Sequence, residues 1–320
     1  MPEIPLDLSV IIVSWNVRDL LRDCLHSICE YPSLSLETIV IDNASGDGSA
    51  AMVAEEFPGV HLIANAGNAG FTVANNQGLE LSRGRYVLFL NPDTRVIGDA
   101  LATMVAYMDA HEAVGALGPQ LRYGDGSLQS SRRRFPGLAT ALFESTPLAW
   151  HWPEARNPWA RRYHMDDVPV PLAGGQDGEA QEVDWVVGAA LLARRAVIDR
   201  IGGFDEGYFM YSEELDWCRR AKQAGWQIVY LPPALIVHYE GKSSEQSVAA
   251  RHIRFHASRV RYFRKYCGPL AAGFLRLAVL TMFAAEWLLE ATKRLFGSKP
   301  GLRQERMAAY RQLLKSGLRA

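Results

Sequence analysis

The first ninety residues alternate between short apolar runs and polar turns that contain glycine. Four runs are β-branched or almost continuously apolar, a pattern typical of strands covered on both faces of a sheet. They span residues 8–14, 37–41, 60–64 and 85–90. Apolar residues at helical spacing follow the first three runs, over residues 20–31, 49–57 and 71–82. This alternation predicts a doubly wound α/β sheet with right-handed crossovers.

The regular pattern weakens after residue 100. A helix is predicted over residues 101–108 and a strand over 114–117, but residues 123–181 show little periodicity and are rich in Gly, Pro, Arg and Trp. An irregular stretch of that length inside a compact domain is usually functional or mobile. We therefore interpret residues 123–181 as an irregular insertion in the domain.

Regular elements are predicted again from residue 183. The pattern favours a strand over residues 183–187, and residues 188–192 are interpreted as the lead-in to a helix over 195–201. The remaining elements of this part are a helix over 213–224 and strands over 227–231 and 235–238. Residues 1–245 are thus predicted to form one α/β domain.

Residues 246–320 differ in composition and are predicted to form a basic helical region. Within residues 270–296 the longest uncharged run, 277–285, is far shorter than the roughly 20 residues that span a bilayer. Arg276 and Glu286 interrupt the segment, so we expect that it does not span as a standard helix. An interfacial amphipathic helix at a membrane and a helix packed on the core or on a second copy both remain open.

Composition narrows the function. A net charge of -1 over 320 residues provides no general field for nucleic acid, so no nucleic-acid partner is expected. The four cysteines form no CxxC pair and are interpreted as structural thiols. The chain begins without a basic stretch followed by an apolar run, which predicts no secretory signal and a cytoplasmic location.

The turn Asn91-Pro92-Asp93 directly follows the apolar run 85–90. Ligands of open α/β sheets bind at the carboxyl ends of strands, and a carboxylate there suits a divalent cation that holds a phosphate. The turn carries one acid where metal–diphosphate sites often carry two. The sequence therefore predicts a metal site that needs a further ligand from elsewhere.

Polar residues also follow the second and third runs. Asp42 could accept the imide N–H of a uracil or thymine ring, although Asp after a strand is also an ordinary turn residue. Six amide and glycine positions would allow a nucleotide to approach the backbone closely, or would simply form a turn before a helix with many Asn residues; they are Asn65, Gly67, Asn68, Gly70, Asn75 and Asn76.

Two further groups could carry chemistry. Glu213, Glu214 and Asp216 begin a predicted helix, where acids are favoured by the helix dipole. The aromatic run 208–211 before them could instead raise a carboxylate pKa towards that of a general base. His238 ends an apolar run and could ligate a metal, while Lys242 in the following loop could bind a diphosphate.

These motifs, in this order, resemble the inverting glycosyltransferases of family 2, and most closely the bacterial rhamnosyltransferase-like members. The resemblance covers roughly residues 8–245 and rests on several segments; they are residues 10–16, 40–45, 68–78, 91–93, 188–189, 202–216 and 237–238. It implies a GT-A fold: a Rossmann-like, doubly wound mixed sheet with helices on both faces, here with a C-terminal helical extension.

The resemblance also implies a role for each matching residue. Glu214, or Glu213 next to it, would be the catalytic base, and Asp93 with His238 would hold Mg or Mn. Donor contacts are implied for Ser14, Asp42, Asn43, Asn68, Gly70, Asn75, Asn91 and Lys242. Acceptor contacts are implied for Trp185, Gly188, Ala189 and Asp216.

The function that follows is metal-dependent, inverting transfer of a sugar from dTDP-rhamnose or a UDP-sugar to a hydroxyl group. The expected acceptor is a saccharide or a polyprenyl-diphosphate-linked molecule of cell-surface polysaccharide synthesis. Peripheral membrane contact through residues 270–296 would place the enzyme at the inner face of the cell membrane. A nucleotidyltransferase acting on sugar phosphates and a non-catalytic nucleotide-sugar binding module are the alternatives.

Overall fold

The computed structural model describes residues 6–30, 34–144, 146–152, 156–170, 180–239, 248–297 and 299–319. The chain divides into two compact units, which are described separately. The first consists of Met1–Phe135, Val168–Glu206 and Glu213–Ser243. The second consists of Pro136–Asp167, Gly207–Ser212 and Ser244–Ala320.

The described residues form twelve strands and eleven helices. The strands are β1 (Leu8–Ser14), β2 (Leu36–Asp42), β3 (His61–Ala64), β4 (Tyr86–Leu90), β5 (Thr94–Ile97), β6 (Val114–Arg122), β7 (Leu128–Gln129), β8 (Arg132–Arg133), β9 (Gln181–Val183), β10 (Trp185–Val186), β11 (Ala190–Arg194) and β12 (Gln227–His238). The helices are α1 (Arg18–Cys29), α2 (Ser49–Glu56), α3 (Phe71–Leu81), α4 (Ala100–Ala110), α5 (Leu138–Phe143), α6 (Pro147–His151), α7 (Pro158–Tyr163), α8 (Arg195–Ile201), α9 (Glu213–Gln223), α10 (Val248–Leu295) and α11 (Pro300–Ser316).

A mixed sheet is the centre of the first unit, with the strand order β3-β2-β1-β4-β11-β6-β12-β5. The strands β3, β2, β1 and β4 run parallel, whereas β11 is antiparallel to both of its neighbours, β4 and β6. Helices cover both faces. Val10 and Ile12 of β1 belong to the core that contains Leu21 and Leu25 of α1, while Ile11 between them lies against Gly78 of α3. The predicted mixed α/β sheet is thus confirmed.

The structure corrects the interpretation of residues 188–192 as a helix lead-in. Residues 190–194 are strand β11, which is buried and hydrogen-bonded between β4 and β6 in the middle of the sheet. A short apolar run has no periodicity that distinguishes a buried strand from a helix. Long-range pairing decides the conformation at this position.

Two further differences arise beyond residue 90. Strand β5, which the sequence pattern did not indicate, pairs antiparallel with the last four residues of β12. The region 123–181, predicted to be irregular, contributes strands β7, β8 and β9 to the first unit and helices α5, α6 and α7 to the second. These elements are too short to produce a recognisable period.

The second unit consists of five helices in its described residues. Helix α10 is kinked at Gly268, whose φ of 87° lies in the left-handed region, and Pro269 follows. Beyond the kink, α10 and α11 form an antiparallel pair joined by Arg276 Nε donating to the Gly317 carbonyl and by Arg303 contacting Glu290 at 2.7 Å. The rings of Phe143, Trp152 and Trp159 pack on one another, with centroids 5.3–5.7 Å apart.

One helix in the described residues, Ala249–Leu295, is long and apolar enough to cross a membrane by length and composition. The length of its uncharged runs alone therefore does not exclude that this segment spans. An apolar stretch of 18 residues still qualifies when it contains one or two charged side chains, so Arg276 and Glu286 do not exclude such a stretch within the helix. Only 22% of that stretch is buried within the protein.

Candidate active site

The carboxyl ends of β1 and β2 bring two buried polar side chains together. Ser14 and Asp42 are register partners on these neighbouring strands. Asp42 Oδ2 accepts a hydrogen bond from the Ser45 backbone N–H at 3.0 Å. Ser14 Oγ and Asp42 Oδ1 are buried without a hydrogen-bond partner among the described residues. Because buried polar atoms are nearly always paired, these two atoms indicate a place where a ligand donates hydrogen bonds.

Asn43 shapes the loop beside that edge. Its Nδ2 donates to Asn68 Oδ1 at 3.2 Å and to the Gly70 carbonyl at 3.1 Å. Its Oδ1 accepts from Asn65 Nδ2 and from the Ala69 backbone N–H, both at 3.1 Å. An amide side chain has two donor positions and two acceptor positions, and all four are used here. The Asn43 side chain therefore positions this loop, and the donor contact of Asn43 stays a prediction.

The other predicted donor residues of this region lie in or near the same loop. Asn68 Oδ1 also accepts from the Gly70 backbone N–H at 3.0 Å. Gly70 adopts φ 91° immediately before α3, a conformation that L side chains rarely take. Asn75 is buried within α3, where its Nδ2 donates to the Phe71 carbonyl at 2.9 Å. Lys242 lies outside the described residues.

Asp93 and His238 meet on the side of β4 that is away from β1 and β2. Their side chains are both buried, and Asp93 Oδ1 lies 3.3 Å from His238 Nε2. The pairing of β5 with β12 places Thr94 opposite His238, and the Tyr239 backbone N–H donates to the Asp93 carbonyl at 2.9 Å. The turn itself is fixed by Thr94 Oγ1, which donates to the Asn91 carbonyl at 2.7 Å. Residues far apart in the sequence thus form one polar pair.

The hydrogen bonding of His238 fits a metal ligand. His238 Nδ1 lies 3.0 Å from the buried Gln129 Oε1, an atom that can only accept. With Nδ1 as the donor to this oxygen, the His238 ring is in the tautomer whose Nε2 lone pair faces Asp93 Oδ1. Two acceptor atoms at that distance repel each other unless a proton or a cation lies between them. No group of three or more His, Cys, Asp and Glu side chains suited to a metal occurs among the described residues.

Glu214 lies next to the amino end of β11. A Cβ atom built on Gly188 would be 3.3 Å from the Glu214 carboxylate, so only glycine leaves it this much room. Next to Gly188, the Ala189 carbonyl accepts a hydrogen bond of 2.9 Å from the Asn91 backbone N–H. The Glu214 carboxylate and the turn that carries Asp93 are therefore both linked to residues 188–189.

Burial distinguishes the two glutamates. Burial raises the pKa of Glu214, although the Gly188 backbone N–H and the charge of Arg133 oppose the rise. Burial and the neighbouring charge of Glu214 raise the pKa of Glu213 well above its usual range. Glu213 is only 4% exposed, whereas Glu214 is half-buried. Glu214 is thus the less buried residue of the two, although Oε2 of each glutamate is buried without a hydrogen-bond partner among the described residues.

Two predicted acceptor residues have internal partners. Asp216 is fully buried and contacts Arg220 Nε at 2.9 Å, while the same guanidinium donates to the carbonyls of Ile201 and Gly203. Asp216 thus holds the start of α9 to the end of α8, and its acceptor contact stays a prediction. Trp185 is also buried, and its Nε1 donates to the Arg134 carbonyl at 3.0 Å. Among the four predicted acceptor residues, Gly188 and Ala189 lie beside Glu214.

Sequence reasoning missed Gln129 and the effect of Arg133. Gln129 lies in the region predicted to be irregular, and no local pattern connects it with His238, 109 positions away. Arg133 belongs to a run of three arginines whose basic character is visible in the sequence. Its influence on the Glu214 pKa becomes evident only from the fold.

The chain is similar in sequence to a known protein family and to several of its members. Residues 9–172 match the family model described as Glycosyl transferase family 2. A curated relative from Mycobacterium tuberculosis, named N-acetylglucosaminyl-diphospho-decaprenol L-rhamnosyltransferase, is 29% identical over 262 residues, which are 78% of this chain and 82% of the relative. Rhamnosyltransferase WbbL from Escherichia coli is 26% identical over 265 residues, 80% of this chain and 92% of that protein.

A solved structure supports the same fold. The mannosyltransferase PcManGT from Pyrobaculum calidifontis, in complex with GDP-Man and Mn²⁺, superposes with a TM-score of 0.56 at 19% identity. The similarity covers 99% of this chain and 87% of that one. At this level of identity the comparison establishes the fold alone, which is the GT-A-like α/β architecture with a helical C-terminal region.

Proposed function

Because the chain belongs to glycosyltransferase family 2 and is therefore a glycosyltransferase, we propose that it transfers L-rhamnose from dTDP-rhamnose to a lipid-linked saccharide. A UDP-sugar is the second candidate donor. The observation that carries this proposal is the connection of Asp93 and His238 to Glu214 through residues 188–189. Such an arrangement would bring a diphosphate site and a base close to each other. The two rhamnosyltransferases similar to this chain support the choice of sugar.

The donor base would bind at Ser14 and Asp42. The unpaired Asp42 Oδ1 is suited to accept the imide N–H that thymine and uracil share, and the Ser14 hydroxyl offers a second hydrogen bond. Cytosine carries no proton on the corresponding nitrogen and would leave Asp42 Oδ1 unsatisfied. A carboxylate at this position therefore favours dTDP and UDP sugars over CDP sugars.

Asp93 and His238 would hold Mg or Mn together with oxygens of the donor diphosphate. A hard carboxylate oxygen is a common ligand of both ions, and an imidazole nitrogen favours a transition metal such as Mn over Mg. When bound, the cation would neutralise negative charge on the departing diphosphate. Gln129 fixes the His238 ring in the orientation this requires. The similar mannosyltransferase was solved with Mn²⁺, which supports the proposal.

Glu214 would take the proton from the acceptor hydroxyl. The Gly188 N–H orients its carboxylate, and burial raises its pKa, which makes the ionised form a stronger base. A single base is sufficient for a mechanism without a covalent intermediate. Direct displacement with inversion at the sugar carbon is therefore the simplest mechanism.

The acceptor would be a saccharide on a polyprenyl diphosphate used for cell-surface polysaccharide. The relative from Mycobacterium tuberculosis is named for a saccharide linked through a diphosphate to decaprenol, which supports this class of acceptor. Nucleotide sugars are cytoplasmic, so transfer would occur at the inner side of the membrane. Membership in a glycosyltransferase family argues against the two alternatives, a nucleotidyltransferase and a non-catalytic binding module.

A thermal-shift screen of nucleotide sugars in the presence of Mn²⁺ tests the donor. dTDP-rhamnose should give the largest rise in melting temperature. A ligand that binds only the native state stabilises it, by about 2.7 kcal/mol at 100 times its Kd, so the donor that binds most tightly gives the largest shift. Asp42→Asn is the matched variant: an amide can present its N–H to the base, so the preference for dTDP and UDP over CDP should weaken. Equal shifts from CDP- and dTDP-sugars with the wild-type protein would contradict base recognition by Asp42.

A further inference from the structure

Helix α10 presents an uncharged face to solvent beyond its kink. Exposed residues recur every three or four positions, the spacing of one side of a helix; they are Leu270, Phe274, Leu277, Thr281, Ala285, Leu288 and Thr292. We call these residues the apolar face. Leu270 is 89% exposed and Leu277 is 67% exposed. At 1.5 Å per residue the face is about 33 Å long.

The opposite side of α10 carries its acids. Glu286 and Glu290 are both buried, and Glu290 contacts Arg303 of α11 at 2.7 Å. They are the two carboxylates between Val248 and Leu295. A helix at the surface of a water-soluble protein turns its charged side outwards and its apolar side inwards. Beyond its kink, α10 buries both of its acids together with apolar residues such as Leu275 and Phe283, and it also exposes an uncharged face, which is suited to an apolar surrounding.

Basic residues flank the apolar face. Arg264 precedes it, and Lys293 and Arg294 follow it, all of them exposed. This pattern complements the anionic headgroups of a bilayer, which attract basic residues at the ends of an interfacial helix. Pairing with a second copy would bring like charges together at the ends of the face, whether the two helices ran parallel or antiparallel.

We propose that the apolar face inserts into the interface of an anionic bilayer, with α10 lying along the membrane surface. Spanning is disfavoured because it would place Glu286, Glu290 and Arg303 at membrane depth. Along the surface, the leucines and Phe274 enter the acyl boundary while the ion pairs with α11 stay outside it. This surface would hold the chain at the membrane that carries a lipid-linked acceptor.

Vesicle co-sedimentation of the full-length protein tests the proposal. The wild-type protein should bind vesicles that contain phosphatidylglycerol, and Leu277→Glu should weaken this partitioning roughly tenfold or more. Leu81→Glu is the matched control, since Leu81 is also an exposed helical leucine, 49% exposed, in α3 of the first unit. It should bind as the wild type does. Leu270→Glu provides a second variant if Leu277→Glu does not fold.

Charge and depth are tested in the same assay. Replacing Lys293 and Arg294 by Gln should reduce binding to phosphatidylglycerol vesicles by roughly fivefold for each charge and leave the weaker binding to pure phosphatidylcholine unchanged. Alkaline carbonate should release the wild-type protein from the vesicles, as it does for interfacial proteins.

Several outcomes would overturn the proposal. They are no vesicle binding by the wild-type protein, unchanged binding of folded Leu277→Glu and Leu270→Glu, and retention in carbonate, which would indicate a span. A dimer in light scattering that Leu277→Glu dissociates would instead assign the face to a second copy. Vesicle binding requires no turnover, so its failure leaves the proposed sugar transfer intact.

Discussion

Glu214→Gln is expected to lower kcat by roughly 10²–10⁴, the usual contribution of a positioned general base. Glutamine keeps the size of the side chain and can still accept the Gly188 N–H, but it cannot take a proton from the acceptor hydroxyl. Donor affinity should stay close to that of the wild type, because the diphosphate and base sites are formed by other residues. Single-turnover transfer and donor titration measure the two quantities separately.

Glu213→Gln is the matched comparison. Glu213 is more deeply buried, so its replacement should reduce kcat far less than Glu214→Gln does. Because the folded protein raises the pKa of Glu213, its contribution to stability is full below the unfolded pKa and is lost as the pH rises through the folded pKa. Glu213→Gln should therefore gain stability relative to the wild type as the pH rises. If Glu213→Gln lost activity and Glu214→Gln kept it, the base would be Glu213.

The pH dependence provides a further check on Glu214. The base must be ionised, so kcat/KM should rise with pH through a pKa above the usual range of a glutamate, because burial raises the pKa of Glu214. The activity should be lost as the pH falls below that pKa. Residual activity of Glu214→Gln should lack this limb of the profile.

Asp93→Asn is expected to lower kcat/KM by roughly 10³, comparable to the loss of a group that stabilises transition-state charge. The amide removes the negative charge that faces His238 Nε2, and with it the main attraction for a divalent cation. The Mn²⁺ concentration needed for half-maximal rate should rise by at least roughly tenfold. Titration of activity with Mn²⁺ measures both effects.

Asp99→Asn is the control for this variant. Asp99 is an exposed aspartate shortly after β5, next to the start of α4. Its replacement should leave both the rate and the Mn²⁺ dependence unchanged. Wild-type transfer by Asp93→Asn, or an unaltered Mn²⁺ requirement, would remove Asp93 from the metal site.

Local patterns predicted the first half of the sheet because its elements are long and repeat regularly. Strands β1, β2 and β4 are continuous apolar runs, and α8 has the bounds that the pattern indicated, Arg195–Ile201. Strand β11 was missed because its four apolar residues, 190–193, fit a strand and a helix equally well. Strand β5 depends on pairing with β12, which local propensity cannot reveal.

The candidate site shows the same division. The residue types and motif order indicated Asp93, His238 and the two glutamates, and the fold supplies the distance between Asp93 and His238. Sequence could not distinguish polar residues that face a ligand from those that hold the scaffold. Asn43 uses its whole amide within a loop, and Asp216 is paired with Arg220, whereas Asp42 keeps an unpaired oxygen.

The configuration of the new glycosidic bond tests the proposed reaction most directly. The purified protein would be incubated with dTDP-rhamnose of known anomeric configuration, Mn²⁺ and a short-chain diphosphate-linked saccharide, and the product examined by NMR of its anomeric C–H coupling. A single displacement assisted by Glu214 predicts a product with the opposite configuration to the donor. A product with the same configuration would contradict it, because retention requires a second nucleophilic step.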